Sequence, residues 1–438
     1  MAKVANSHPN VYELAQQRLH TIFASFDNVY VSFSGGKDSG VLLNLCIDYI
    51  RKHGLKRKLG VFHMDYEIQY RDTIAYVDKT LAANRDILEV YRVCVPFKVQ
   101  TCTSMFQQYW RPWEESKRDL WVRKMPEGCL TTQDFPFFTE TMWDYEFQSR
   151  FAEWLHERKH ATRTCCLIGI RTQESFNRWR SIYSDRNNHR FRGERWIREW
   201  RCGHICSAYP IFDWLTSDVW TANGKFGWPY NRLYDLYYMA GVPLDNQRVA
   251  SPFISPAISS LQLYKAIDPD TWGRMIGRVN GANFAQLYGR TSAIGWQSIK
   301  LPKGLTWERY MHFLLSTLPE ETRRSYLEKL SVSIRFWREK GGCLSDKTIA
   351  RLRQAGVPMI VGEKSGYRTD KKPVRMEYMD DIDVPEFSQL PTFKRICICI
   401  LKNDHACKYM GFSPNKKETQ RRKKIMEQYE TLLRNTRG

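Results

Sequence analysis

A short apolar run, Val29 to Phe33, leads directly into Ser34-Gly35-Gly36-Lys37-Asp38-Ser39. Ser39 to His53 then continues with Val41, Leu42, Leu45, Ile47 and Ile50 on a helical spacing. The order of strand, glycine loop and helix constrains this chain more than any other feature. Two glycines let the backbone turn tightly and approach a ligand's oxygens without a Cβ clash. The helix that follows presents unpaired N–H groups and the positive end of its dipole, which suits phosphate. Lys37 adds a point charge, and the hydroxyls of Ser34 and Ser39 can donate. Asp38 would repel phosphate directly, so it either orients a Mg2+ ion or caps the helix. The loop is not of the Walker type, which needs four residues between its first glycine and Gly-Lys.

Around this loop the chain reads as alternating helices and strands up to roughly residue 260, which predicts a parallel α/β sheet. Helices are predicted over Asn10 to Phe26, Ser39 to His53 and Thr73 to Arg85. Further strands are predicted at Lys58 to Met64, ending at Asp65, at Leu88 to Val95 and at Thr164 to Ile170. The long stretch before the last of these carries Phe106, Tyr109, Trp110, Trp113 and Trp121 between Met105 and Lys124. It predicts an insertion or lid, followed by a helix near Phe138 to His160. Beyond Pro256 the pattern turns helical, with segments at Thr306 to Leu318, Pro319 to Lys340 and Ser345 to Ala355. Gly362 to Pro385 is polar and reads as a linker or surface loop. Lys416, Lys417 and Arg421 to Lys424 lead into a basic C-terminal helix. The expected organisation is a domain over residues 1–256, a helical domain over 257–370, and a linker with the basic helix over 371–438.

Three further segments join the loop in a resemblance. Gly169-Ile170-Arg171-Thr172-Gln173-Glu174-Ser175, with Arg178 beyond it, matches G-x-R-x-x-E-S-x-x-R. Pro210 to Trp220 contains Pro-Ile-Phe-Asp-Trp and Asp-Val-Trp, and Pro229-Tyr230-Asn231-Arg232-Leu233-Tyr234-Asp235 follows. Over about residues 25 to 253 the chain resembles the PP-loop ATP-pyrophosphatase superfamily, in its phosphoadenosine-phosphosulfate (PAPS) reductase branch. The resemblance implies a five-stranded parallel sheet flanked by helices, of the adenine nucleotide alpha-hydrolase-like kind, with a mainly helical C-terminal domain. ATP would lie across the C-terminal edge of the strands with Mg2+, a placement that also follows from the general rule for open α/β sheets. Ser34, Gly35, Gly36, Lys37, Asp38 and Ser39 would hold the leaving pyrophosphate, and Gly169 falls within the matched signature. Lys37, Asp38 and Arg171 would serve the chemistry, with Asp38 on the metal. Arg171 and Arg178 would neutralise phosphate or an adenylated intermediate. Glu174 and Ser175 would position those arginines or cap the helix. Asp65 sits either where ribose or adenine contacts fall or as a cap. Asp213-Trp214 and Asp218 to Trp220 read as caps and core aromatics.

The nucleophilic cysteine of a sulfonucleotide reductase is missing: Met239 to Asn246, where its motif would stand, contains none. Adenylation with release of AMP and pyrophosphate is therefore expected over PAPS reduction. Cys165, Cys166, Cys202, Cys206, Cys397, Cys399 and Cys407 read as buried thiols more than metal ligands, because adjacent strand residues face opposite ways.

Lys and Arg total 67 against 47 Asp and Glu, a net charge of +20, which favours a polyanionic partner. Arg180, Arg186, Arg190, Arg192, Arg195 and Arg198, interleaved with Tyr183, Phe191, Trp196 and Trp200, suit nucleic-acid contact by phosphate pairing and base stacking. An arginine-rich loop over ATP, or a hairpin with Glu194 and Glu199, is the alternative. The domain order also resembles bacterial or prophage immunoglobulin-binding-regulator coactivators paired with ParB-like proteins. That likeness implies a regulator using ATP as a switch. No apolar stretch approaches the roughly 20 residues of a membrane span, and the N-terminus lacks a signal-peptide core, so a cytoplasmic location is expected.

Overall fold

The computed structural model describes residues 9–183, 189–200, 202–249, 251–254, 261–282, 299–363 and 370–412. The chain divides into two compact units. The first takes residues 1–99, 110–252 and 262–279, and the second takes 100–109, 253–261 and 280–438.

In the first unit, α1 (Val11–Ser25) begins at Asn10, whose side chain accepts from the amides of Tyr12 and Glu13 while Glu13 reaches back to the Asn10 amide. Then follow β1 (Asn28–Ser32), α2 (Lys37–His53), β2 (Leu59–Met64), α3 (Arg71–Ala83) and β3 (Leu88–Val93). After the insertion come α4 (Asp144–Arg158), β4 (Thr164–Ile168), α5 (Phe176–Tyr183), β5 (Ile197–Glu199) and β6 (Ile205–Ala208). Helices α6 (Thr216–Phe226), α7 (Leu233–Met239) and α8 (Pro269–Arg278) complete the unit. The sheet has six strands in the order β3-β2-β1-β4-β6-β5. Five run parallel, as the resemblance implies. The sixth, β5, is an antiparallel edge strand pairing Ile197 with Ala208 and Glu199 with Cys206. The inner parallel strands β1, β2 and β4 are buried along nearly their whole length, as strands covered on both faces are, whereas β3 at the edge alternates, and Val31, Leu42, Val61, Leu167 and Ala208 meet in one core.

The chain runs outward from β1 to β3, then returns to place β4 on the other side of β1. The strand order therefore reverses between β1 and β4, and the crevice beyond their C-terminal ends is where ligands bind in such sheets. The glycine loop follows β1, and Gly169 to Ser175 follow β4, so both motifs meet at that crevice.

The second unit carries α9 (Trp307–Ser316), α10 (Glu320–Glu339), β7 (Gly342–Leu344), α11 (Asp346–Gln354), β8 (Ile360–Val361), β9 (Lys372–Arg375) and α12 (Phe393–Leu401). It is not helical alone: β8, β9 and β7 form an antiparallel sheet. The polar stretch read as a linker contributes β9, whose Val374 is fully buried with Trp337, Leu344 and Leu352. Cys397, Cys399 and Cys407 lie in a second core with Trp307, Met311 and Tyr326. The basic helix expected near the C-terminus lies outside the described residues. Among the described residues, no helix is long and apolar enough to cross a membrane.

Candidate functional site

The glycine loop is held from three sides. Gly35 has φ +75°, and a Cβ there would stand 2.8 Å from Val77 Cγ2, so both its conformation and its packing require glycine. Inside the loop, the Ser34 and Ser39 hydroxyls hydrogen-bond at 3.0 Å and the Gly36 amide donates to Ser34 Oγ at 3.3 Å. From α7 and its approach, Asn231 Nδ2 donates to the Gly35 carbonyl at 3.0 Å and to Thr73 Oγ1 at 2.9 Å. The Lys37 amide donates to Tyr234 Oη at 2.9 Å. The Pro229 to Asp235 motif therefore braces the loop, a role its sequence does not announce.

The charged residues of the motif are paired with one another. Asp38 Oδ1 accepts from Arg171 Nε at 2.5 Å, and Asp38 Oδ2 lies 3.2 Å from Lys37 Nζ. Lys37 is 5% exposed and also donates to the Gln247 carbonyl at 3.2 Å. Burial pulls its pKa down, against the opposing pull of Asp38. Arg171 is 1% exposed and also donates to Gln173 Oε1, the Trp214 carbonyl and Thr216 Oγ1. It is a buried strut that ties the start of α2 to the segments after β4 and before α6. Gly169 makes that junction possible, because a Cβ there would lie 2.9 Å from the backbone carbon and oxygen of Asp38. Glu174 pairs with Arg178, and Ser175 Oγ accepts from the Arg178 amide at 3.3 Å, so these two position the arginine.

Asp38 does not fit a resident metal. Its carboxylate already serves two cations, and among the described residues no cluster of three His, Cys, Asp or Glu stands ready to coordinate one. Asp65 is likewise committed. It is fully buried, and its carboxylate accepts from Arg92 and Arg123 and from the Glu67 amide. Burial raises its pKa, but Arg123, His63 and Arg92 outweigh that and lower it to about 2. The carboxylate thus pins the end of β2 instead of offering itself to ribose. Beside it, Glu67 is fully buried and bound by Arg278 of α8. Neither Glu67 nor Arg278 lies in a motif.

Next to the loop, a cavity of about 140 Å³ opens between the ends of β1 and β2. Ser34 and Thr73 stand at the loop side, and Tyr70, Tyr237 and Tyr264 form an aromatic wall. The Tyr70 and Tyr264 rings stack at 3.6 Å. Gln69 Oε1 and Ser251 Oγ line the cavity as buried atoms without a hydrogen-bond partner among the described residues. An aromatic chamber with a few unanswered polar atoms beside a phosphate-type loop is the arrangement a nucleoside needs. No cysteine lines it.

The described part of the basic segment packs against the sheet. Trp196 and Ile197 are buried in the sheet core, and Trp196 Nε1 donates to Glu194 Oε2 at 2.7 Å, the folded alternative. Arg192 lies over Phe191 and donates to Ser25 Oγ, at the end of α1 that feeds the start of β1. It is thus at the opposite end of the sheet from the loop. Arg195 lies over Tyr183, Arg198 is on β5, and Arg190 forms a bridge with Arg198. Arg186 and the side chain of Arg180 lie outside the described residues. Asp213 pairs with Arg18, Asp218 accepts from the Leu215 amide, and Trp214 is a core residue. Cys165 and Cys206 face each other in register between β4 and β6, buried, and Cys202 is exposed.

Comparison with known proteins places residues 28–240 in the phosphoadenosine phosphosulfate reductase domain family and residues 241–421 in a domain of unknown function, DUF3440. The uncharacterized protein YbdN of Escherichia coli (strain K12) is 32% identical over 425 residues, covering 94% of this chain and 93% of its own. Among solved structures, the phosphoadenylyl-sulfate reductase of Candida auris is 15% identical at a TM-score of 0.30, over 57% of this chain and 98% of that one. The U34-tRNA thiolase NcsA of Methanococcus maripaludis is 11% identical at a TM-score of 0.30, over 67% of this chain and 82% of its own.

Proposed function

The chain belongs to the phosphoadenosine phosphosulfate reductase domain family, and we propose that its nucleotide-binding domain takes ATP and cleaves it to AMP and pyrophosphate. The observation that carries this reading is the tyrosine-walled cavity that opens onto Ser34 beside the glycine loop, with no cysteine in its lining. A sulfonucleotide reductase needs a thiol there to attack sulfur. A pyrophosphatase needs only an open α-phosphate and a held leaving group. An acceptor oxygen attacks the α-phosphorus and gives its proton to solvent, the α–β bridging bond breaks with its electron pair leaving on pyrophosphate, and a second nucleophile, water included, then displaces AMP from the adenylated acceptor. Loop amides and the buried charge of Lys37 stabilise that leaving group, where low local dielectric strengthens each contact. Magnesium has no protein site in this reading and would enter on the triphosphate itself. Nucleic acid or a nucleotide is the proposed acceptor, supported by the net charge of +20.

A second reading, a DNA-associated regulator with a ParB-like partner, is favoured by one contact set. Tyr234 Oη and the Gln247 carbonyl already engage the Lys37 amide and ammonium. ATP entry would then shift residues around the loop, as a switch requires.

Product analysis of α-labelled ATP, incubated with the protein and either DNA or tRNA, separates these readings. AMP that rises with one nucleic acid is the expected result. ATP retained without AMP under every condition would favour the switch. Thioredoxin-dependent sulfite release from PAPS would overturn both.

A further inference from the structure

The matched motif offers Arg171 and Arg178 to phosphate, yet the fold gives both of them carboxylate partners, Asp38 and Glu174. Another arginine reaches the same place from a segment outside every motif. The Gln247 carbonyl accepts from Lys37 Nζ at 3.2 Å. Val249 Cβ lies 3.8 Å from where a Cβ on Gly36 would stand, and Val249 and Ser251 line the cavity. Between them, Arg248 is exposed and donates Nη2 to the Glu174 carbonyl at 3.0 Å. Among the described residues it forms no ion pair. Its charge acts on both Lys37 and Arg178.

Lys37, Arg171, Arg178 and Arg248 thus gather at one place, where Asp38 and Glu174 are the carboxylates paired with them among the described residues. Four cations gathered beside the positive end of α2 favour an anion there. Arg248 has the right chemistry for that anion, since its planar fork can donate two parallel hydrogen bonds to phosphate oxygens. Its segment also connects the two halves of a nucleotide site, the cation cluster at Arg248 and the cavity wall at Val249 and Ser251.

We propose that Arg248 is a phosphate-binding residue, holding the polyphosphate of a nucleoside triphosphate, or free pyrophosphate, against the glycine loop. The inference rests on the nucleotide reading above for its ligand, and on the cation cluster for its geometry. It assigns to Arg248 the contact that the motif assigns to Arg171.

Calorimetric titration of the full chain with ATP, inorganic pyrophosphate, AMP and adenosine tests it, using wild type, Arg248→Ala and Arg248→Lys. Arg248→Ala should weaken ATP and pyrophosphate by about tenfold or more and leave adenosine unchanged, as loss of a charge-assisted contact to phosphate predicts. Arg248→Lys should fall between, keeping the charge and losing the fork. Equal pyrophosphate and ATP affinities in wild type and Arg248→Ala would overturn the assignment and leave the nucleotide reading intact. Wild type that binds pyrophosphate but not ATP, with the Arg248→Ala loss retained, would reject the nucleotide reading and uphold Arg248. Binding of neither would reject both.

Discussion

Glu67→Ala is expected to destabilise the nucleotide-binding unit by about 3–5 kcal/mol, because it strips a buried guanidinium of its hydrogen-bonded carboxylate and leaves it Glu114, 3.9 Å from Arg278 Nη1. Glu67 is fully buried, and Arg278 donates to it from Nε at 2.9 Å and Nη2 at 3.1 Å. The same carboxylate accepts the amides of Trp113 at 2.8 Å and Val122 at 3.1 Å. One side chain therefore fastens the insertion and α8 to the turn after β2. Its removal also orphans two backbone donors. The double variant Glu67→Gln, Arg278→Met should lose less than Glu67→Ala, since it removes the buried charge while keeping an acceptor for one of the two amides. Urea denaturation followed by tryptophan fluorescence checks this. A loss under about 1 kcal/mol for Glu67→Ala would mean that water reaches Arg278 and the site is not dry.

Gly169→Ala should damage both the fold and the loop. The added Cβ would stand 2.9 Å from the backbone carbon and oxygen of Asp38 and 3.0 Å from the Ser39 nitrogen. Backbone atoms at a helix start cannot swing aside as a side-chain tip can. Either α2 shifts or β4 does, and both separate Arg171 from Asp38 and move the loop amides. The expected cost is about 1–3 kcal/mol of stability, with ATP affinity lowered by more than the stability loss alone would cause. Gly224→Ala in α6 is the matched control, since no neighbouring atom lies within 4 Å of its Cβ position. Thermal melting and ATP titration of both variants provide the comparison. Equal behaviour of the two would show that the β4–α2 contact has slack.

These two sites also mark where the sequence stops being readable. The loop, the parallel strands and their helices were legible because each is a contiguous pattern: an apolar run, a glycine pair, a helical spacing. The crevice between β1 and β4 followed from the motifs at its rim. Glu67 and Arg278 were invisible because they meet across 211 positions, with no pattern at either end. Arg171 was legible as a member of a motif, but not its burial or its tie to Asp38, since these are properties of packing and not of spacing. The partners of Asp65 were hidden for the same reason, Arg92 and Arg123 lying 27 and 58 residues away. Strand β5 hides in an arginine-rich run because its one buried residue, Ile197, stands among charged neighbours. Strand β9 hides likewise, with Val374 as its buried residue among lysine, proline and arginine. Strands this short carry too few inward positions to outweigh their exposed ones.

The account turns on the tyrosine-walled cavity beside Ser34 as the seat of an adenine nucleotide. Photolabelling with 8-azidoadenosine triphosphate, followed by peptide mapping, tests this most directly. The label is predicted on peptides containing Tyr70, Tyr237 or Tyr264, and excess ATP should suppress it. Labelling confined to other peptides, or labelling that ATP fails to displace, would contradict the account.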